Sequence, residues 1–225
     1  MTKVMKLSVC LRVARTLNTL HSMKIAHGSV SSHNLMFDLD FSNDPAKPFK
    51  LLLCELELHD FKKYANMFGS YRCVSVWSSP ECLKSPRKKL DPTPEMDVYS
   101  FGMLMWEVLH NTLPFDGDLS ACSDYVINSD SRPKIDEEGG ERRNTDFEMR
   151  VEQRTAVSES IADIIRSCWQ TNPGDRPRME EVCQKLINEL ASIVEEDGSI
   201  IMEEPSDRHD SSPLKPENFY SAIEP

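Results

Sequence analysis

The chain of 225 residues lacks the features that mark membrane, secreted and zinc-binding proteins. No apolar run approaches the roughly 18 residues that a membrane span needs, and no signal peptide is visible. The seven cysteines form no C-x-x-C pair and no metal-ligand spacing with histidine, which disfavours a disulfide framework or a zinc site. We therefore expect an intracellular, cytoplasmic protein that holds no metal.

Positive charge is also scarce. The formal net charge is -11, from 37 acidic and 26 basic residues, and residues 87–89 form the single compact basic run. Phosphate surfaces repel an acidic chain unless a local basic patch intervenes. The charge therefore predicts that neither nucleic acid nor a membrane is the partner. A hydrophobic fraction of 39% and a charged fraction of 28% predict an ordinary globular body.

Apolar periodicity predicts a mainly helical fold with one short hairpin. Leucine and alanine residues spaced three and four apart mark one face of a helix that ends near His21. Two short strands are predicted at 35–37 and 49–53, and two amphipathic helices at 157–169 and 178–196. Residues 95–110 are apolar on nearly all sides, which is typical of a buried helix.

Composition predicts two irregular segments beside this body. Residues 129–153 are rich in charge and contain Gly139-Gly140, which indicates an insertion. Residues 196–225 are acidic and contain several prolines, which indicates a disordered tail. The tail includes a small apolar island that could act as a docking peptide for a protein partner, formed by Asn218, Phe219, Tyr220 and Ile223.

Short motifs then occur in an order that is typical of one superfamily. The stretch His27 to Asn34 has the frame of the kinase loop H-R-D-L-x-x-x-N. Further along the chain come Ser79-Pro80-Glu81, similar to A-P-E; Asp97 to Gly102, similar to D-V-[YW]-S-F-G; Leu113-Pro114-Phe115; and Cys168 to Pro177, similar to C-W-x-x-x-P-x-x-R-P. Over roughly residues 5 to 195 the chain therefore resembles the protein kinase superfamily, tyrosine-kinase-like group.

The resemblance implies the helical large lobe of a kinase, with residues 1–195 as the domain. No G-x-G-x-x-G motif occurs, and the few residues before Met5 could not form a five-stranded sheet, so we expect the small β lobe to be absent. The sequence is then either a truncated product or part of a longer chain. No cofactor is expected, and ATP with magnesium would bind only if a small lobe were supplied upstream.

The loop lacks the residue that carries kinase chemistry. Ser29 stands where kinases place the catalytic aspartate, and Ser31 stands where a lysine or arginine is common. A serine hydroxyl is no base near neutral pH unless a second base activates it. Asn34, the magnesium-binding position of the loop, is retained. The sequence therefore predicts no intact catalytic site.

The resemblance also implies roles for five other residues. Structural roles are expected for His27 and Asp97, which support the loop, and for Glu81 and Arg176, which form a largely buried salt bridge in kinases. Met36 would form the floor of an adenine pocket.

The position of the magnesium-binding D-F-G tripeptide has two possible alignments. The first places it at Leu53-Cys54-Glu55, directly after an apolar strand, and leaves no metal ligand. The second places it at Asp60-Phe61-Lys62 and retains an aspartate. The first is favoured because its strand is longer and more apolar.

These observations predict a pseudokinase that acts as a regulatory or scaffolding binding module. Its partner would be a protein that contacts the helical surface and the tail. The alternatives are a partial sequence of an active ATP-dependent protein kinase and a fragment without a function of its own.

Overall fold

A computed structural model describes residues 1–38, 50–56, 74–85, 90–136 and 156–197. In these ranges the chain is mostly helical with one two-stranded sheet. The elements are α1 (Lys3–Ser22), β1 (Leu35–Asp38), β2 (Lys50–Leu53), α2 (Pro80–Leu83), α3 (Pro94–His110), α4 (Leu119–Ser123), α5 (Glu159–Cys168) and α6 (Met179–Asp197). The helices and strands predicted from periodicity are confirmed to within two residues at each end.

Helix α3 runs through the centre of the molecule. The Thr93 side chain caps its start by accepting a hydrogen bond from the Met96 amide at 3.4 Å, and Asn111 ends it in a left-handed conformation with φ 52°. Most of its apolar side chains are fully buried, as the all-round apolar pattern predicts. Gly102 lets α5 approach closely, because a Cβ there would lie 2.8 Å from the Cβ of Cys168.

Helix α1 packs between α3 and α6. Its buried residues include Leu7, Ala14 and Leu17, which belong to the predicted apolar face. Lys6 is also buried, and its Nζ donates to the Leu109 carbonyl at 2.8 Å, in the last turn of α3. Burial lowers the pKa of Lys6. This buried amine therefore satisfies a carbonyl that the end of the helix leaves without an intrahelical partner.

Strands β1 and β2 form an antiparallel hairpin in which Leu35 pairs with Leu53 and Met36 with Leu52. Leu35 and Leu53 pack against the hydrophobic core. Met36 and Leu52 are 58% and 52% exposed, so they form an apolar outer face. The hairpin continues the chain directly from the loop that contains the kinase-like motif.

The segment predicted as an insertion begins with eight residues, 129–136, that lie against the helical body. Trp106 of α3 donates its indole N–H to the Lys134 carbonyl at 2.9 Å. The Asp136 amide donates to His110 Nε2 at 3.1 Å, and the Asp136 carbonyl accepts from the Val157 amide at 2.9 Å. The chain therefore leaves and re-enters the described body at neighbouring points, as it does around a loop insertion. Residues 137–155 lie outside the described part.

The remaining predictions concern the tail and the membrane. Residues 198–225, which include the predicted docking peptide, also lie outside the described residues. Within the described ranges, no helix has the length and apolarity needed to cross a bilayer.

Candidate functional site

The loop His27 to Asn34 is fixed to α3 by one buried carboxylate. Asp97, which is 1% exposed, accepts hydrogen bonds from the backbone amides of His27 at 2.6 Å and Gly28 at 2.7 Å. Its Oδ2 also lies 2.9 Å from Nε2 of His21 at the end of α1. Leaving such amides buried and unpaired would cost about 1–3 kcal/mol each. Asp97 thus joins the loop, α1 and α3.

Gly28 has a conformation and surroundings that exclude a side chain. Its φ is 73°, in the left-handed region, and a Cβ there would lie 2.8 Å from both Cβ and Cγ of Pro92. This is the position at which the kinase motif carries an arginine.

The imidazole of His27 is buried and neutral. Its Nδ1 accepts a hydrogen bond from the Ser29 amide at 3.2 Å, so the ring proton is on Nε2. Burial lowers the pKa of His27, and the nearby Asp97 carboxylate opposes this effect only in part. Among the described residues, Nε2 has no hydrogen-bond partner. The ring therefore supports the loop backbone.

Ser29 and Asn34 lie at the two ends of a tight turn. The Asn34 side-chain amide donates to the Ser29 carbonyl at 2.6 Å, and the Asn34 backbone amide donates to the Ser31 carbonyl at 3.2 Å. The Asn34 carbonyl in turn accepts from the Cys54 amide at 2.8 Å. The loop thus contacts the residue that follows β2, and at position 29 it presents a hydroxyl.

The hairpin register places Leu53, the first residue of the favoured alignment, at the end of β2. Leu53 belongs to β2 because it pairs with Leu35, so the next three residues are Cys54, Glu55 and Leu56. None of them is an aspartate. Glu55 has a φ of 68°, an unusual conformation for a side chain with a Cβ. Asp60, the metal ligand of the second alignment, lies outside the described residues.

A second polar contact joins α2 to the C-terminal helices. Arg176 donates from its two terminal nitrogens to the two carboxylate oxygens of Glu81, at 2.8 and 2.9 Å. It also donates to the carbonyls of Gln170, Thr171 and Glu95. Burial alone would raise the pKa of Glu81, but the hydrogen bonds from Arg176 outweigh it, and the pKa lies below its ordinary value.

The family follows from comparison with known proteins. Residues 2–186 match the model of the protein kinase domain. The chain belongs to the protein kinase family.

Three relatives with a kinase name share between 26% and 29% of their aligned residues with this chain. A putative serine/threonine-protein kinase/receptor of Acanthamoeba polyphaga mimivirus is 29% identical over 187 residues, which cover 83% of this chain and 10% of the relative. A serine/threonine/tyrosine-protein kinase of Arabidopsis thaliana is 26% identical over 181 residues, or 80% of this chain and 39% of the relative. The megakaryocyte-associated tyrosine-protein kinase of Rattus norvegicus is 27% identical over 189 residues, or 83% and 34%. The chain thus spans well under half the length of these kinases.

A cavity of about 260 Å³ opens beside the kinase loop. It is lined by the loop and by residues of the Ser75–Ser79 stretch before α2. The carboxylates that line it are those of Glu55, which follows β2, and of Asp97 in α3. Met36 is not among the described lining residues and faces outward on the hairpin. The cavity therefore combines loop hydroxyls with acidic groups.

Sequence reasoning missed a residue that links this cavity to α3. The Trp77 indole N–H donates to the Glu107 carboxylate at 2.7 Å, and the Trp77 ring contacts His33 edge-on at a centroid distance of 5.0 Å. Burial raises the pKa of Glu107, although hydrogen bonds from Ser32 and Trp77 oppose this. The place of Glu107 directly after the apolar run of residues 101–106 was the signal that could have revealed it.

The side chains near the cavity offer few groups for magnesium. Magnesium in kinases is held by carboxylate and amide oxygens together with the phosphates of the nucleotide. Within the described ranges, no cluster of three or more histidine, cysteine or acidic side chains could hold a metal ion. The residue that follows β2 is Cys54. Among the described lining residues, Asn34, Glu55 and Asp97 carry amide or carboxylate oxygens.

Proposed function

We propose that this member of the kinase family is a catalytically impaired domain, built on the large lobe of the kinase fold, that acts as a regulatory or scaffolding binding module. The observation that carries the proposal is Ser29, a hydroxyl in the position of the catalytic base, within a loop whose supporting contacts to Asp97 are present. The scaffold is thus compatible with binding, while the proton acceptor is missing.

His27 does not act as a substitute base for the Ser29 hydroxyl. The one imidazole nitrogen that can accept a proton, Nδ1, already accepts the Ser29 backbone amide. A hydroxyl nucleophile or relay needs a neighbouring base within hydrogen-bond reach. His27 therefore orients the loop backbone, and the Ser29 hydroxyl has no activating partner there.

The charge of the cavity also supports the proposal. Among its described lining residues there is no lysine or arginine, whereas Glu55 and Asp97 are carboxylates. Kinases hold the transferred phosphate with cationic groups and magnesium. We therefore infer that these residues do not hold a magnesium–nucleotide complex by themselves, and that ATP would bind only with a small lobe upstream.

Assays of phosphate transfer test the proposal. The purified chain is incubated with radiolabelled ATP, magnesium or manganese and generic serine, threonine and tyrosine substrates. We expect no incorporation above that of the Asn34→Ala variant, and no change in Ser29→Ala. Incorporation that is lost in Asn34→Ala would show an active kinase and refute the proposal.

One observation favours the alternative of an active kinase that is seen only in part. Glu55 lines the same cavity as Ser29 and Asn34, so a carboxylate is present beside the loop. In an active enzyme, Glu55→Gln would lower the rate of phosphate transfer by about 100-fold or more, which is the usual contribution of a general base. A chain extended upstream, assayed with and without this substitution, separates the two functions.

The proposal includes a protein partner. Its contact surface would comprise the helical face and the tail segment with Asn218, Phe219, Tyr220 and Ile223. A pull-down with the full chain and with a variant that carries alanine at Phe219 and Tyr220 tests the contribution of the tail. We expect the variant to capture less of the partner than the full chain does.

A further inference from the structure

Two stacked aromatic rings lie in the segment that follows α3. The rings of Phe115 and Tyr125 are within 16° of parallel, and their centroids are 5.9 Å apart. Phe115 packs partly against the hydrophobic core, whereas Tyr125 is 54% exposed. Leu113, two residues before Phe115, is also exposed. Because aromatic residues are enriched where proteins contact one another, this apolar surface is a candidate for a docking site.

A tight turn fixes the position of this surface. The Asp116 amide donates to the Leu113 carbonyl at 3.1 Å, and the Asp118 amide donates to the Phe115 carbonyl at 2.9 Å. The Asp118 side chain then caps α4 by accepting hydrogen bonds from two backbone amides of that helix. The stacking on Phe115 holds the Tyr125 ring against the same turn. The surface is therefore formed before a partner arrives, which reduces the entropy lost on binding.

The charge of this segment has one sign. Residues 111–131 contain four aspartates and no lysine, arginine or histidine. Asp116 and Asp124 are exposed, and each is the chain neighbour of one of the two rings. Within the described part of the chain, neither carboxylate forms an ion pair. The two rings therefore lie beside negative charges that attract a cationic partner and repel an acidic one.

We propose that the ring-pair surface, formed by Leu113, Phe115, Asp116, Asp124 and Tyr125, binds a basic segment of a partner protein through an arginine that stacks on the Tyr125 ring. The inference rests on the proposed function, since it names the surface and the chemistry with which the binding module holds its partner. A guanidinium is planar, stacks on aromatic faces and donates hydrogen bonds to carboxylates from its edge. An apolar residue beside the arginine would cover Leu113.

The sign of the charge also bears on two other occupants of the ring-pair surface. The tail of this chain, residues 196–225, is acidic, and the whole chain has a formal net charge of -11. Like charges at an interface are unfavourable. A basic partner segment therefore fits this surface better than the tail or a second copy of the chain.

Peptide titrations followed by NMR test this inference on the full chain at pH 7 and physiological ionic strength. The probe is acetyl-Arg-Leu-Arg-Leu-Arg-amide. One control replaces its arginines with glutamate, and the other replaces its leucines with glycine. We expect saturable shifts of the Asp116 and Tyr125 amide signals with the probe, weaker binding of the glycine peptide and no binding of the glutamate peptide. Equal binding of the glutamate peptide, or shifts confined to other parts of the chain, would overturn the inference.

Substitutions separate ring stacking from net charge. Tyr125→Ala should weaken binding of the probe about two- to fivefold, the range for an exposed cation–π contact, whereas Tyr125→Phe keeps a ring and should bind like the wild type. Asp116→Asn should weaken binding by a similar factor. The matched control is Glu180→Gln, which removes one exposed charge from the first turn of α6 and should leave binding unchanged. Equal weakening by Glu180→Gln and Asp116→Asn would show that net charge alone drives binding, and would contradict the inference.

The same spectra test a second copy of the chain as the occupant. Shifts of the Asp116 and Tyr125 amides that grow with protein concentration, before any peptide is added, would show self-association and overturn the assignment to a partner protein. Thermal melts of each variant show whether a loss of binding reflects unfolding.

The outcome is independent of the test of catalysis. A chain that transfers phosphate refutes the proposed function whatever the peptides do. A chain that transfers none and does not bind the arginine peptide retains the proposed function but refutes the ring-pair surface as its docking site.

Discussion

The polar groups around Arg176 and those in the cavity beside Ser29 differ in how they are hydrogen-bonded. Arg176 donates to both oxygens of Glu81 and to three backbone carbonyls. The hydroxyls of Ser29 and Ser31, by contrast, make no hydrogen bond to a described residue. The residues of the first region match the kinase motif residues that stabilise the fold. The residues of the second differ from the kinase motif residues that take part in phosphate transfer. The comparison teaches that the fold depends on one set of motif residues and that phosphate transfer requires another.

The largest expected effect on stability is at the contacts around Arg176. Arg176→Ala would leave the partly buried Glu81 and three backbone carbonyls without their partner, and we expect a loss of about 3–5 kcal/mol in the free energy of unfolding. Urea denaturation at pH 7 measures it. The matched control is Arg166→Ala, because Arg166 forms surface ion pairs with Glu159 and Asp163. A surface pair contributes only about 0–1 kcal/mol. Equal losses in the two variants would contradict the comparison.

A smaller effect is expected where α3 meets α5. Gly102→Ala would bring a Cβ to 2.8 Å from Cys168 Cβ and 3.3 Å from the Trp169 amide nitrogen. Overpacking of this kind costs about 1–3 kcal/mol. Gly174→Ala is the control, since the nearest atoms to its added Cβ lie at 3.8 Å. We expect Gly102→Ala to melt at a lower temperature than Gly174→Ala, and the reverse order would show that α5 can move away.

The smallest expected effect is a change of stability with pH. Because the folded-state pKa of Glu81 lies below its ordinary value of 4.5, its contribution is fully present above that value and is lost as the pH falls through the lower, folded-state pKa. Glu81→Gln should therefore be less stable than the wild type at pH 7, with a difference that shrinks below about pH 4. Urea titrations across this range measure it. A difference that stays constant down to pH 3 would show that the Glu81 charge does not contribute.

Much of the fold could be predicted because its signals are local. Helix α3 and the apolar face of α1 follow from periodicity, and Thr93 and Asn111 supply capping signals at the ends of α3. Strand β2 ends at Leu53, as predicted, but its register, in which Leu53 pairs with Leu35, could not be predicted in this way. Register between strands is a tertiary property, so the alignment of the tripeptide at Leu53-Cys54-Glu55 stays a prediction.

The candidate site was predictable only where a motif names the residue. The sequence predicted Ser29 in place of the catalytic aspartate and the retained Asn34. It did not predict that Glu55 and Asp97 would line one cavity, because the two residues are distant in sequence and meet only in the folded chain. Glu107 was missed because no motif distinguishes its contact with Trp77 from an ordinary helix position.

The neighbourhood of Gly28 has an evolutionary consequence. Pro92 fills the space that any side chain at position 28 would need, and its ring atoms lie 2.8 Å from the added Cβ. A proline ring has no flexible end that could swing aside. A mutation that placed arginine at position 28 would therefore be harmful until a second mutation changed position 92. The arginine of the kinase motif thus cannot be introduced into this loop in one step.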